Sequence, residues 1–188
     1  MTVELLLLPG EQLERVEPQL LQVYRSAFAT PPYSESEADI KRFARSLRLH
    51  AERDDFRCCM AKDQDIVVGF AYGYRSEAGQ WWHDTVARAM TPQMVEAWLD
   101  DAFEFVVLAV VPERQGEGIG GRLHDALLDG VTFGKAILST SQTETTGLQL
   151  YRKRGWAPLL ENFQFPGGRA PFLLMGLDLR QRGGVSHG

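Results

Sequence analysis

Cysteine is nearly missing from this chain: 188 residues hold two, and they are neighbours, Cys58 and Cys59. Adjacent side chains on a strand point to opposite faces, so a disulfide between them is not expected, and no spacing suits a zinc site. Both read as packing residues of a protein in a reducing compartment, which makes a cytoplasmic location the expectation. Long apolar runs are missing as well. The four leucines at 5–8 are too few to cross a bilayer and follow Glu4 rather than a basic segment, so neither a membrane span nor a signal peptide is expected. Nor is there a basic excess, since 20 Lys and Arg stand against 25 Asp and Glu, a net charge of -5. That balance excludes a nucleic-acid backbone or an anionic membrane as the expected main partner and mildly favours cationic ligands.

What remains is an ordinary globular composition, 44% hydrophobic and 24% charged, enough for a core. No internal repeat breaks it, so residues 1–181 are expected to form a single domain and 182–188 a disordered tail. Apolar runs at 3–8, 56–61, 66–74 and 105–111 read as strands, the last apolar at every position and so covered on both faces. Helical spacing marks residues 11–28, 35–53, 118–133 and 143–154, with Gly134 and Gly155 as stops. Strands at 136–139, 159–165 and 171–179 close the chain. Between the third and fourth strands lies an insert longer than a normal connection, with a helical turn expected near Thr91-Pro92. The order is β-α-α-β-β-insert-β-α-β-α-β-β, a mixed α/β sheet. The basic residues Lys41, Arg42, Arg45 and Arg48 read as a solvated helix face.

The segment "VVLAVVPERQGEGIGGRLHDALL" carries the chemistry. Gly116, Gly118 and Gly121 spell G-x-G-x-x-G, the letters of a dinucleotide turn. The context is wrong for one: "PERQ" intervenes after the strand, and "AILSTSQ" lacks the carboxylate needed about 20 residues on to hold a ribose. There is no G-K-[ST] for a nucleoside triphosphate either. Four glycines at 116, 118, 120 and 121, at a helix N-terminus straight after a buried strand, instead present bare amide groups suited to a pyrophosphate. A tight turn with close helix packing is the plainer alternative.

The same segment resembles the acetyl-CoA-binding motif of the GNAT superfamily of N-acetyltransferases, Q/R-x-x-G-x-G/A, with Gln115, Gly118 and Gly120 filling it. "LQLYRKRGW" at 148–156 is similar to the family's other hallmark, L-Y-x-K-x-G-F. The resemblance implies a mostly antiparallel twisted sheet of about seven strands flanked by about four helices, with the insert partly helical. It implies acetyl-CoA as cofactor, with backbone groups at Leu108, Ala109 and Val110 for the pantetheine arm. The loop Gln115, Gly116, Glu117, Gly118, Ile119, Gly120 and Gly121 would hold the pyrophosphate. Glu117 departs from the pattern, because a carboxylate beside a pyrophosphate is repulsive, and Arg114 and Arg122 are the available counter-charges.

Acetyl transfer to an amine needs a base, an oxyanion donor and an acid for the departing thiolate. By resemblance Tyr151 is the acid. The bland reading is a tyrosine packing its helix onto the core. Glu104, eleven residues before Gln115, stands where the histone-acetylating branch has its base. It reads alternatively as a solvated charge before a strand, with water as the base. Glu144 occupies the place of a frequent asparagine, seven residues before the tyrosine. Tyr33, Trp81, Trp82, His83 and Glu144 are the candidates for substrate contact, the tryptophans as an amine cage or as core. No metal site is expected. The acceptor is expected to be a small-molecule or peptide amine, and a homodimer is compatible with the chain. The alternative from another class is a non-catalytic CoA-binding module of the same fold.

Overall fold

The computed structural model describes residues 3–168 and 170–180; the segment expected as a tail lies outside them. In chain order the elements are β1 (Glu4–Leu8), α1 (Leu13–Ala27), α2 (Glu37–Ala51), β2 (Arg57–Asp63), β3 (Ile66–Arg75), α3 (Trp81–Ala87), α4 (Pro92–Trp98), β4 (Ala102–Val110), α5 (Ile119–Leu128), β5 (Lys135–Ser141), α6 (Thr146–Lys153), β6 (Ala157–Phe163) and β7 (Phe172–Asp178). Single 3-10 turns sit at Gly10–Gln12 and Pro112–Arg114. Seven strands with mostly antiparallel pairing and helices between them make a mixed α/β fold. The chain divides into two compact units, Met1–Tyr74 with Val106–Gly130 and Arg75–Phe105 with Val131–Gly188.

In the first unit the strand order is β1-β2-β3-β4, with β1 and β3 antiparallel to β2. Asp63 faces Ile66, so a two-residue loop joins β2 to β3, and Gln64 itself takes a φ of 56° where glycine is usual. Cys58 and Cys59 fall on successive positions of β2, both fully buried, and burial pushes their thiols up to about 12 and about 11. They are packing residues, as expected. The helical apolar stripes of α1 and α2 supply Leu13, Leu20, Val23, Phe43 and Leu47 to a core with Met60, Phe70, Tyr72 and Tyr74. α2 begins on a reciprocal cap, Ser36 with Asp39. The buried carboxylate of Glu17 on α1 accepts from Arg48 Nε at 2.8 Å and from its Nη2, fixing α1 against α2. Arg48 is thus a structural ion pair, whereas Lys41 and Arg45 stay on the exposed face.

The second unit has the order β4-β5-β7-β6; β4 and β5 are parallel, and β7 is antiparallel to both β5 and β6. Its core gathers Val86, Met90, Leu99, Ala102, Ile137 and Leu174. The insert holds two helices rather than one stretch near Thr91. Thr91 caps α4 by accepting from Met94 N at 3.3 Å, and Pro92 takes the first turn. α3 has no side-chain cap, so its start leaves no mark in the sequence.

Two expected boundaries are corrected. β4 starts at Ala102, three residues before the apolar run begins, because residues 102–104 already pair with β5 residues 135–137. α5 stops at Leu128 rather than near 133, since Asp129 turns extended and Gly130 takes a φ of 71°. The stop was therefore Asp129-Gly130, not Gly134. No helix of the described residues is long and apolar enough to cross a membrane.

Candidate functional site

Residues 115–121 form a bend that delivers the chain from β4 into α5. Gly116 and Gly118 have φ of 83° and 80°, and Gly118 is the N-cap of α5 with no side chain capping it. The first amide groups of the helix, at Ile119, Gly120 and Gly121, therefore lack intrahelical acceptors and point out of its end. Gln115 anchors the bend by donating from Nε2 to the Val110 carbonyl at 3.0 Å. Glu117 does not face the bend unpaired: Arg114 Nε donates to it at 2.9 Å while Arg114 Nη1 holds Asp63 at 2.6 Å. Arg122, the other expected counter-charge, instead donates to the Val3 carbonyl at 2.9 Å.

A Cβ added at Gly118 would meet nothing within 4 Å, so the cost of substitution there is conformational alone. Gly118→Val is expected to lower stability by about 1–2 kcal/mol and Gly118→Asn by less, because asparagine tolerates the left-handed region. Thermal midpoints of the two variants check this, and equal midpoints would mean that the bend relaxes.

β4 leads into this bend. Its ladder with β5 ends at Glu104, paired with Ile137, although β4 runs on to Val110. Val106, Val107 and Leu108 are half-exposed, while Ala109 and Val110 are buried. The strand expected to be covered on both faces is thus partly open at mid-length, where its edge is released from the ladder and its backbone groups can serve a ligand.

Glu104 lies within β4, 4% exposed, so it is no solvated charge before a strand. Tyr151 on α6 is 8% exposed, its ring edge-on to Phe105 at 6.1 Å and near Trp156 at 5.9 Å. Alternation sends the Glu104 side chain to the opposite face of β4 from Phe105, the ring against which Tyr151 packs.

The substrate candidates scatter. Trp81 is 61% exposed and stacked on Phe165 at 5.6 Å, whereas Trp82 turns into the core of the second unit and donates from Nε1 to Ser139 Oγ at 3.2 Å. The two rings form no common cage. His83 is buried, with Nδ1 at 3.2 Å from Asp84, and borders a cleft of about 720 Å³ shared with Ser76, Glu77, Asp101 and Phe133. Glu144 is exposed and paired with Arg152 Nη1 at 2.7 Å. Tyr33 sits edge-on to Phe28 at 4.9 Å, beside but not on the cleft of the first unit.

That cleft, about 290 Å³, is lined by Tyr24, Glu35, Asp39, Phe43, His50 and Tyr72 among others, and by Val106 and Val107 of β4. None of the six was singled out in the sequence. The only available signal was that Glu35 directly follows the proline-rich break "TPPYS". Burial raises the Glu35 carboxyl, with the charge of Asp39 adding to it. Burial, reinforced by the nearby Arg53 cation, lowers His50 to about 4.

No protein-family model matches the chain. A GCN5-like protein acetyltransferase of Mycobacterium tuberculosis is 32% identical over 121 residues, which span 60% of this chain and 59% of that protein. A GNAT-family protein of Desulfovibrio desulfuricans has the same fold, with a TM-score of 0.66 at 15% identity over 94% of this chain and 99% of that one. The chain has the fold of GNAT-family acetyltransferases. The PaiA N-acetyltransferase of Thermoplasma acidophilum, solved with coenzyme A, shares the GNAT fold at a TM-score of 0.58 and 16% identity, over 95% of this chain and 99% of its own. In this chain the second motif has a plain physical content. Gly155, at a φ of 85°, terminates α6, and Trp156 folds back, buried, onto the Tyr151 ring.

Proposed function

We propose that the chain is an acetyl-CoA-dependent N-acetyltransferase acting on a primary amine of a small molecule or peptide, with residues 1–181 as one catalytic domain. The observation that carries the reading is the uncapped N-terminus of α5, entered through two left-handed glycines a short turn after a strand whose residues 106–108 are only partly buried and lie beyond its ladder with β5. The residues fit the cofactor. Bare amides and the helix dipole suit a pyrophosphate and the glycines leave room for close approach; Arg114 pairs with Glu117 but shares its one charge with Asp63, so the trio keeps a net charge of -1 that the amides must outweigh. Residues 115–121 would hold the pyrophosphate, and the backbone of Leu108, Ala109 and Val110 the pantetheine arm. When bound, acetyl-CoA supplies an activated acetyl thioester.

Tyr151 is assigned as the proton donor to the departing thiolate, a task a buried, ring-packed phenol can perform without moving. Glu104 is assigned to deprotonating the amine. Its place on the opposite face of β4 from Phe105 favours action through water rather than by direct contact. The name of the mycobacterial relative, a protein acetyltransferase, supports an amine acceptor in general.

The test is the thermal midpoint with acetyl-CoA and, in parallel, with NAD. At about 100 times its dissociation constant a ligand stabilises by about 2.7 kcal/mol, a shift of several degrees. Acetyl-CoA is expected to give that shift and NAD none. A shift with NAD alone would overturn the assignment. A shift with acetyl-CoA but no turnover on any amine would leave a CoA-binding module.

A further inference from the structure

The cleft of the first unit has a charge pattern that the proposed reaction leaves unused. Four ionisable groups other than tyrosine line it: Glu35, Asp39, Arg42 and His50. Asp39 is engaged, accepting from Ser36 N at 2.9 Å and Ser36 Oγ at 2.6 Å and pairing with Arg42 at 3.0 Å. His50, lowered by burial, is neutral near pH 7, and its Nδ1 lies 3.1 Å from the Tyr72 hydroxyl. That leaves the half-buried Glu35. Its backbone N–H donates to Phe28, but its carboxylate has no hydrogen bond or ion pair among the described residues. Counted together, two carboxylates and one guanidinium give the cleft a net charge of -1 near pH 7.

The walls are aromatic. Tyr24 and Phe43 stack with ring centroids 3.7 Å apart and nearly parallel planes, and Tyr72 lies beyond Phe43 at 6.3 Å. A carboxylate with no hydrogen bond or ion pair among the described residues, in a cleft lined by aromatic side chains, suits an ammonium group on an apolar skeleton, by ion pairing and contact with the rings. A volume of about 290 Å³ is at the small end for ligand pockets, so it takes one amine on a short skeleton.

We infer that this cleft selects a small, positively charged monoamine, whose ammonium pairs with Glu35 and whose apolar skeleton lies against Tyr24, Phe43 and Tyr72. The inference names the acceptor class of the proposed acetyl transfer and rests on that reading for its role, though binding can be measured without it. An anionic or zwitterionic ligand is disfavoured because Arg42, the one cation on the lining, is already paired with Asp39.

Calorimetric titration of the full chain with phenethylamine, 2-phenylethanol and 3-phenylpropionate tests this, because the three differ mainly in charge. Only phenethylamine is expected to bind. Glu35→Gln is expected to weaken it about tenfold or more, and Glu35→Asp by less. Arg42→Ala, which removes the opposing cation, is expected to tighten it a few-fold. Unchanged affinity in Glu35→Gln, weaker binding in Arg42→Ala, or tighter binding of the propionate would each overturn the inference. Thermal midpoints confirm that the variants fold. If acetyl-CoA binds and phenethylamine does not, the cleft assignment fails and acetyl transfer stands. If phenethylamine binds through Glu35 but acetyl-CoA gives no thermal shift, the acetyltransferase reading fails and the amine site stands.

Discussion

Tyr151→Phe is expected to lower kcat about 10²–10⁴-fold, the range for losing a general acid, while leaving the thermal shift with acetyl-CoA unchanged. The substitution removes one hydroxyl and keeps the ring. The edge-on packing against Phe105 at 6.1 Å and the approach of Trp156 at 5.9 Å are made by ring atoms, so both survive. Stability is therefore expected to change by little more than one hydrogen bond, about 1 kcal/mol. Steady-state rates on an amine acceptor, read beside the thermal midpoint, separate the two roles. A variant with wild-type kcat would make Tyr151 a packing residue. A variant that loses kcat and several degrees of midpoint together would leave the catalytic assignment without support.

The second large effect is on stability below neutral pH. His50 is lowered to about 4 from the ordinary value of 6.5, burial being the main cause and the Arg53 cation the second. Its surroundings are the Tyr72 hydroxyl, the Tyr74 ring at 4.7 Å and the guanidinium of Arg53, itself over Tyr74. Glu35 and Asp39 line the same cleft, yet desolvation prevails. In the unfolded chain the imidazole binds a proton below about pH 6.5, whereas in the fold it resists protonation until about pH 4. The unfolded state thus binds more protons across that window. The stability held above pH 6.5 is lost progressively as pH falls, by about 3 kcal/mol on reaching the folded value. Denaturant titrations at intervals from pH 7 to pH 4 measure it. His50→Gln is expected to flatten the curve over that window, and an equally steep curve in the variant would assign the loss to other groups.

The element order was legible because the hydrophobic period and the punctuation agreed along most of the chain. Thr91-Pro92 began a helix, Gly155 ended one, and the glycines after β4 formed the bend that their spacing suggested. The errors have local causes. The end of α5 lies at Asp129-Gly130, a turn dipeptide that was as legible a stop as Gly134 four residues on. β4 began early because the pairing of residues 102–104 with β5 is a long-range fact to which the preceding "LDD" gives no clue. The two adjacent tryptophans could not be apportioned from their letters. The orientation of α3 decides it, turning Trp82 towards the core and Ser139 and leaving Trp81 stacked on Phe165.

By itself the sequence determined the mixed α/β order, two motifs that resemble those of the GNAT superfamily, the bare-amide bend at residues 115–121 and the packing role of the cysteines. All of these rest on neighbours within a few positions. Only the tertiary structure decided that Glu104 is buried, that Arg114 is shared between Glu117 and Asp63 of β2, and that Tyr24, Glu35, His50 and Tyr72 line one cleft. Those facts join residues from separate elements, and whether a carboxylate meets a cation or a ring depends on packing that no local pattern encodes.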